Sequence, residues 1–213
     1  MQVNDTSGGF ENAPAGTHLA RCIGLIGLGS REQEFQGKKR WRNVVVISWE
    51  LPYELMSDGR PFVTSGWYTR SLADKANLRH DLEAWRTKAF TKDELAGFEM
   101  KNLLEKGCQV IMAENDKGKT NVTGVAALPK GTTLPDRAND LKYFDVYEFN
   151  ENEFEMLSDK FREMVKESRE YQEMAEHGHI LTDEERRGGA DQLRAERLRG
   201  VPRRRNADTF WLI

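Results

Sequence analysis

Aromatic and basic side chains are interleaved between Lys38 and Leu72, and this segment holds the residue types that could do chemistry. Exposed aromatic rings can stack on nucleobases, while Lys and Arg side chains can pair with phosphate groups. Rings and cations together on a sheet are therefore typical of a surface for unpaired nucleic acid. The residues that we predict for such a surface are Lys39, Arg40, Trp41, Arg42, Trp67, Tyr68 and Arg70.

Two β-branched segments carry this pattern, and they are predicted to be neighbouring strands. Arg40–Leu51 and Phe62–Leu72 are separated by a turn at residues 57–59, as in a hairpin. Because side chains alternate across a strand, Trp41 is expected on the face opposite to Arg42. Both faces are apolar in the middle of the first segment, so neither face is expected to be fully solvated there.

The remaining elements predict a small barrel with a helical insert. The other predicted strands are Thr17–Leu28, Cys108–Ala113 and Asn121–Leu128. Helices are predicted over Ala73–Ala89 and after Thr91, where T-K-D-E forms a capping box. Five short strands with a helix between the third and the fourth are typical of the OB-fold, which binds oligonucleotides on strands 2 and 3. We therefore predict a mainly β fold with helical additions: a five-stranded OB-type Greek-key barrel, a helical insert between strands 3 and 4, and C-terminal helices.

Three further features bear on this predicted face. Arg21 and Lys119 are secondary candidates for nucleic-acid contact, because strands 1 and 5 can flank strands 2 and 3. The segment Arg31–Gly37 is predicted to be a loop outside the binding groove, since Glu32 and Glu34 would repel phosphate.

Four side chains are predicted to belong to the core instead. They are Trp49, Trp85, Cys22 and Cys108, each within an apolar pattern. The two cysteines match no metal or redox spacing and are expected to be buried thiols.

The chain is predicted to have four parts. They are a flexible leader over 1–16, an OB-fold domain for single-stranded DNA over 17–150, a helix over 151–175, and an Arg-rich tail over 176–213. The tail ends in an apolar tip formed by Phe210, Trp211, Leu212 and Ile213. An exposed apolar tip favours aggregation unless it docks. Its expected partner is its own barrel, a neighbouring copy of the chain, or a replication or recombination protein.

The composition limits the kind of protein further. A formal net charge of -3 and a pI near 5.9 exclude a bulk polycation, so a basic surface must be local. No run of apolar residues approaches the 18 needed to span a bilayer, and no secretory leader is seen. We therefore expect an intracellular protein in a reducing compartment, with no membrane partner.

Nothing in the sequence assembles a catalytic centre. It contains no phosphate-binding glycine loop of the G-x-x-x-x-G-K type and no G-x-S-x-G elbow, so we predict no enzymatic activity, no cofactor and no metal. Two alternatives stay open. The aromatic sheet could dock another protein, or Asp145, Glu148 and Glu151 could serve a metal-dependent nuclease.

An ordered set of segments resembles one known family. The segments are PAGTHLARCIGLIGLG, GKKRWRNVVVISWEL, YTRSLADKANLRHDLEAWRTKAFT, KNLLEKGCQV, LPKG and YFDVYEF. They span roughly residues 12–173 and resemble the single-stranded-DNA-binding proteins of tailed bacteriophages and prophages. The resemblance implies an OB-fold, no enzymatic activity, and a role in phage DNA replication or recombination in the cytoplasm of the bacterial host. The tail departs from the acidic ends common in bacterial single-stranded-DNA-binding proteins, because Arg203, Arg204 and Arg205 precede the tip.

Overall fold

One mainly antiparallel sheet forms the centre of the fold in a computed structural model, which describes residues 11–35 and 37–178. Its strands are β1 (Gly16–Phe35), β2 (Lys38–Leu55), β3 (Pro61–Thr69), β4 (Gly107–Glu114), β5 (Thr120–Ala127) and β6 (Lys142–Asp145). The order is β3-β2-β1-β4-β5, and β6 pairs in parallel with β1. The predicted mainly β fold with helical additions is confirmed. Across the described residues no backbone ladder joins β3 to β5, so the sheet is open between them.

The first two strands are longer than predicted and extend together past the rest of the sheet. Their pairing runs from Arg31 opposite Arg42 to Phe35 opposite Lys38, over the segment predicted to be a loop. Glu34 lies opposite Lys39 in this extension, and Lys39 Nζ lies 2.9 Å from Oε2 of Glu32, its diagonal neighbour. Such cross-strand pairs favour a strand where the glutamates alone suggested a loop. Residues 31–42 are called the hairpin arm below.

Two bulges let β1 serve several partners. The register of β1 against β2 shifts between Cys22 and Gly24 and again between Gly27 and Gly29. Bulges bend a strand and increase its twist. Gly29 has φ +78°, and a Cβ built there would lie 2.6 Å from Glu170 Oε2. Only glycine therefore fits this position, beside a carboxylate from the C-terminal part of the chain.

The inner face of the sheet packs on the helical insert. The insert contains α1 (Asn77–Arg86), α2 (Lys92–Ala96) and a 3-10 turn at Met100–Leu103. Trp49 is fully buried against Trp85 of α1, with the two ring centroids 6.2 Å apart. The core positions predicted for these indoles are confirmed, as are those of the cysteines, which are free and buried. Burial raises the pKa of the Cys22 thiol to about 12.

The capping box predicted at the second helix is present. Thr91 Oγ1 accepts the backbone N–H of Glu94, and Glu94 Oε2 accepts the backbone N–H of Thr91. This backbone hydrogen bond, assisted by Arg86, lowers the pKa of Glu94 to about 2. Helix α2 therefore begins at Lys92, as the sequence indicated.

The C-terminal part of the chain forms three short helices, of which the second contacts the outer face of the sheet. Where the sequence predicts one helix over 151–175, the structure has α3 (Glu151–Glu155), α4 (Asp159–Lys166) and α5 (Arg169–Glu176). Extended backbone at Ser158 separates the first two, and Ser168 Oγ accepts the backbone N–H of Tyr171 at the start of the third. Serine favours such helix starts. The helices enclose an aromatic cluster of Phe144, Phe149, Phe154 and Tyr171.

The chain divides into two units after Tyr171, and the second is described only as far as Gly178. None of the helices in the described ranges is long and apolar enough to cross a membrane. Most of the predicted leader and nearly all of the tail, with its tip of Phe210, Trp211, Leu212 and Ile213, lie outside the described residues.

Candidate nucleic-acid interface

Strand pairing puts three of the predicted binding residues on one face of the sheet. Trp67 lies opposite Val46, and Arg40 lies opposite Gln33. Directly paired residues share a face, and alternate residues of one strand do so too. Arg40, Arg42 and Trp67 are therefore on the outer face, together with Val46 and Gln33.

Trp67 borders a surface cavity on this face. The indole is 48% exposed, and its ring centroid lies 6.0 Å from that of Phe161 in α4. The cavity has a volume of about 370 Å³. It is called the Trp67 cavity below, and its lining residues are Gln33, Arg42, Val44, Trp67, Tyr68, Thr69, Lys75, Ala76 and Asn77. The hairpin arm, β3 and the loop that leads into α1 all contribute to it.

The cations at this surface have no acidic partner among the residues that the structure describes. Arg40, Arg42 and Lys75 form no side-chain hydrogen bond or ion pair with any other described residue. The start of α1 borders the same cavity at Asn77, and its first turn carries no acidic side chain. The partial positive charge at a helix N-terminus adds to that of nearby cations. The Trp67 cavity thus combines a half-exposed ring with positive charge that no carboxylate in the described part of the chain neutralises.

The second predicted stacking ring, Trp41, lies on the opposite face. Its cross-strand neighbour is Glu32, and the guanidinium carbon of Arg169 stands 4.8 Å from its ring centroid. The indole is also 48% exposed. Because the strand alternates regularly here, Trp41 and Trp67 do not share one surface. Lys39, next to Trp41, is paired with Glu32.

Arg70 is engaged within the chain. Its Nη1 donates to Asp145 Oδ1 at 2.9 Å and lies 2.8 Å from Asp145 Oδ2, and its guanidinium carbon lies 5.4 Å from the Tyr147 ring centroid. It borders a second cavity of about 400 Å³ that also includes Glu99 and Glu148. Carboxylates at this site would repel a phosphate. Arg70 therefore does not extend the basic surface; its ion pair with Asp145 links the end of β3 to the end of β6.

Tyr68 points into the core. It is 7% exposed, lies opposite Val45, and its hydroxyl donates to Asp81 Oδ2 at 2.7 Å. Burial raises the pKa of Tyr68 and also that of Asp81. The phenol is therefore part of the packing between the sheet and α1, and we leave it out of the candidate surface.

The two secondary candidates lie away from the Trp67 cavity. Arg21 Nη1 donates to the carbonyl of Pro135 at 2.6 Å, which holds the loop between β5 and β6. Lys119 is exposed in the turn between β4 and β5, where its backbone N–H donates to Asn115 Oδ1. Neither lines the cavity.

Sequence reasoning missed Lys75, Asn77, Gln33 and Arg169. Lys75 and Asn77 belong to the segment A-D-K-A-N that directly follows the third strand. This closeness in sequence to Trp67 is the signal that could have added them to the predicted surface. The position of Gln33 depends on the hairpin arm, which was predicted to be a loop. Arg169 reaches Trp41 from an element that is more than 100 residues away, and no local pattern reports such a contact.

The acidic residues of the nuclease alternative have protein partners. Asp145 binds Arg70, and Glu148 Oε2 accepts the hydroxyl of Tyr143 at 3.2 Å. Within the part of the chain that the structure describes, no group of three or more His, Cys, Asp or Glu side chains could hold a metal ion.

Comparison with known proteins gave no match, either to a protein-family model or to a curated protein sequence.

Proposed function

We propose that the protein binds single-stranded DNA, largely without sequence preference, on the outer face of β2 and β3 and the adjoining hairpin arm. The observation that carries this proposal is the Trp67 cavity, which a half-exposed indole lines together with Arg42 and Lys75, and neither cation has an acidic partner among the described residues. Unpaired strands offer base faces and phosphates at close spacing, and both find a matching group here. A duplex would offer its phosphates to the cations, but its paired bases would not be free to stack on the ring.

The mechanism combines stacking with charge neutralisation. A base stacked on an exposed ring contributes about 1–3 kcal/mol. Each phosphate contacted on a single strand makes the log–log slope of affinity against salt concentration steeper by about 0.7. Since the net charge of the chain is -3, attraction to DNA depends on the local surface of the arm and the Trp67 cavity, not on the whole molecule.

We also propose that the sheet is an OB-type Greek-key barrel. The helical insert stands between β3 and β4, and the pairings β1–β2, β2–β3, β1–β4 and β4–β5 are those of that topology. Cα atoms of β3 and β5 also come within 8 Å of each other, although no ladder joins them. Together with the resemblance of the sequence, this supports a role in phage DNA replication or recombination inside the bacterial host, without catalysis.

The test is fluorescence anisotropy of a labelled oligo-dT across a salt series, with duplex DNA and RNA as competitors. We expect binding that weakens steeply with salt and is competed poorly by the duplex. The Trp67→Ala variant should bind more weakly at every salt concentration, and Tyr53→Ala, which removes an exposed ring elsewhere on β2, serves as its matched control. Absence of binding at low salt would overturn the proposal.

One observation favours docking of another protein as a second candidate function. An apolar cavity of about 440 Å³ adjoins Phe161 on the same outer face, and Val63, Ile26 and Leu157 also line it. Val63 is 42% exposed. Apolar anchors of this kind bind protein partners, and such binding would change little with salt. The salt series therefore separates the two functions.

A further inference from the structure

We infer that the Trp67 cavity is a single-nucleotide site that discriminates between bases and favours adenine. This inference rests on the proposed function, because it assigns the position at which an otherwise sequence-tolerant surface holds one nucleotide. Three properties of the cavity carry the inference: its size, the position of its cations, and the side-chain amides on its wall.

The size fits one nucleotide. At about 370 Å³, the cavity is near the lower end of the range for pockets that enclose small ligands. A run of stacked bases would need an open groove along several rings. Here a single exposed indole is present, because Trp41 is on the other face of the sheet and Tyr68 is buried.

The cations line the same cavity as the indole and come from two different elements. Arg42 is on the hairpin arm, and Lys75 is in the loop that leads into α1. A base stacked on Trp67 would carry its phosphate group toward one or the other of them. Charge and stacking alone would accept any nucleotide, so these groups supply affinity without selection.

The amides supply the selection. Gln33 and Asn77 both line the cavity, and neither side chain forms a hydrogen bond with another described residue. A carboxamide offers one acceptor and two donors. Adenine is the base whose N6 amino group and N7 match an Asn or Gln amide bidentately. A purine also gives the indole a larger ring system to cover.

The test compares two oligonucleotides that differ at one position, dT9 and the same 9-mer with a central adenine, by fluorescence anisotropy at fixed salt. We expect the single adenine to tighten binding to the full chain by about three- to tenfold, since one base-edge contact contributes on the order of this factor at an exposed site. Cytosine or guanine at the same position should give a smaller gain. The Gln33→Ala/Asn77→Ala double variant should lose the preference, so that the ratio of the two affinities falls to about one.

Asn121→Ala is the matched control, because Asn121 is exposed on β5 and does not line the cavity. This variant should keep the wild-type ratio. Equal affinities of the wild-type protein for the two oligonucleotides would overturn the inference while leaving the proposed function standing. A preference that survives in the double variant, or a larger gain with cytosine or guanine, would also overturn it. Failure to bind either oligonucleotide would instead count against the proposed function itself.

Discussion

At the residue scale, the two half-exposed indoles differ in their surroundings more than in their exposure. Both are 48% exposed, but Trp67 lines a cavity with Arg42 and Lys75, whereas the Trp41 ring lies against Arg169. A guanidinium against a ring already supplies a cation–π contact. Stacking of a base on Trp41 would compete with that contact, whereas the contact of Trp67 with the Phe161 ring, 6.0 Å away, leaves the indole 48% exposed.

The first prediction follows from this difference. Trp67→Ala should weaken binding of oligo-dT by about five- to a hundredfold, the equivalent of one stacked base. Trp41→Ala should weaken it by less than Trp67→Ala. Anisotropy titrations at one salt concentration measure both, after circular dichroism has shown that each variant is folded. A larger loss for Trp41→Ala would move the stacking site to the opposite face of the arm.

The arginines also separate into two kinds. Arg42 has no partner among the described residues, so Arg42→Gln should reduce the log–log salt slope by about 0.7, one phosphate contact. Arg70→Gln should leave the slope unchanged. It should instead lower the free energy of unfolding by about 1–3 kcal/mol, because Asp145 is only 7% exposed and would lose its cation. Salt titrations and urea unfolding measure the two effects, and a reduced slope in Arg70→Gln would place that residue on the DNA.

At the scale of elements, Glu170 at the start of α5 forms hydrogen bonds with Ser30, the residue that precedes the hairpin arm on β1. Its carboxylate accepts the backbone N–H and the hydroxyl of Ser30, both at 2.7 Å, and the hydroxyl of Tyr147 at 2.6 Å. Burial alone would raise the pKa of Glu170, but these hydrogen bonds favour the charged form and hold the pKa below its ordinary value of 4.5.

A pH dependence of stability is the third prediction. A carboxyl group whose folded-state pKa is lowered stabilises the fold above about pH 4.5, and this contribution is lost as the pH falls through the folded-state pKa. Glu170→Gln should therefore cost about 1–2 kcal/mol of unfolding free energy at pH 7. The difference between wild type and variant should shrink below pH 4.5. Urea unfolding at pH 7, 4.5 and 3.5 measures it, and a difference that stays constant with pH would contradict the assignment.

The elements also show what the sequence could and could not predict. Alternating β-branched residues located β2 and β3, and the Thr91–Glu94 capping box located α2, because these signals are local. The hairpin arm was missed, since Glu32 is a poor strand former until Lys39, diagonally across on β2, forms an ion pair with it. The four-residue β6 pairs with a strand more than 100 residues earlier in the chain, and a contact at that distance leaves no periodic trace. The faces of Trp41 and Trp67 likewise depend on the register between strands.

At the scale of the whole molecule, the binding surface exists only when the sheet is assembled. The Trp67 cavity takes residues from β1, β2, β3 and the loop that leads into α1, so no short segment of the chain contains it. The outer face beside it is covered by α4, whose Phe161 contacts the Trp67 ring. A ligand of this surface should therefore bind the native state and not the unfolded chain.

Binding of this kind must raise thermal stability, which is the last prediction. At a free oligo-dT concentration of 100 times Kd, linkage adds about 2.7 kcal/mol to the native state. For a chain of this size, that corresponds to a rise in Tm of about 5–10 °C. A duplex of equal length and concentration should give a smaller shift, and Trp67→Ala should reduce the shift seen with oligo-dT. Thermal unfolding followed by circular dichroism measures these shifts. An unchanged Tm at saturating oligo-dT would mean that the strand contacts the unfolded chain as well as the native one, and the assembled sheet surface could not then be the binding site.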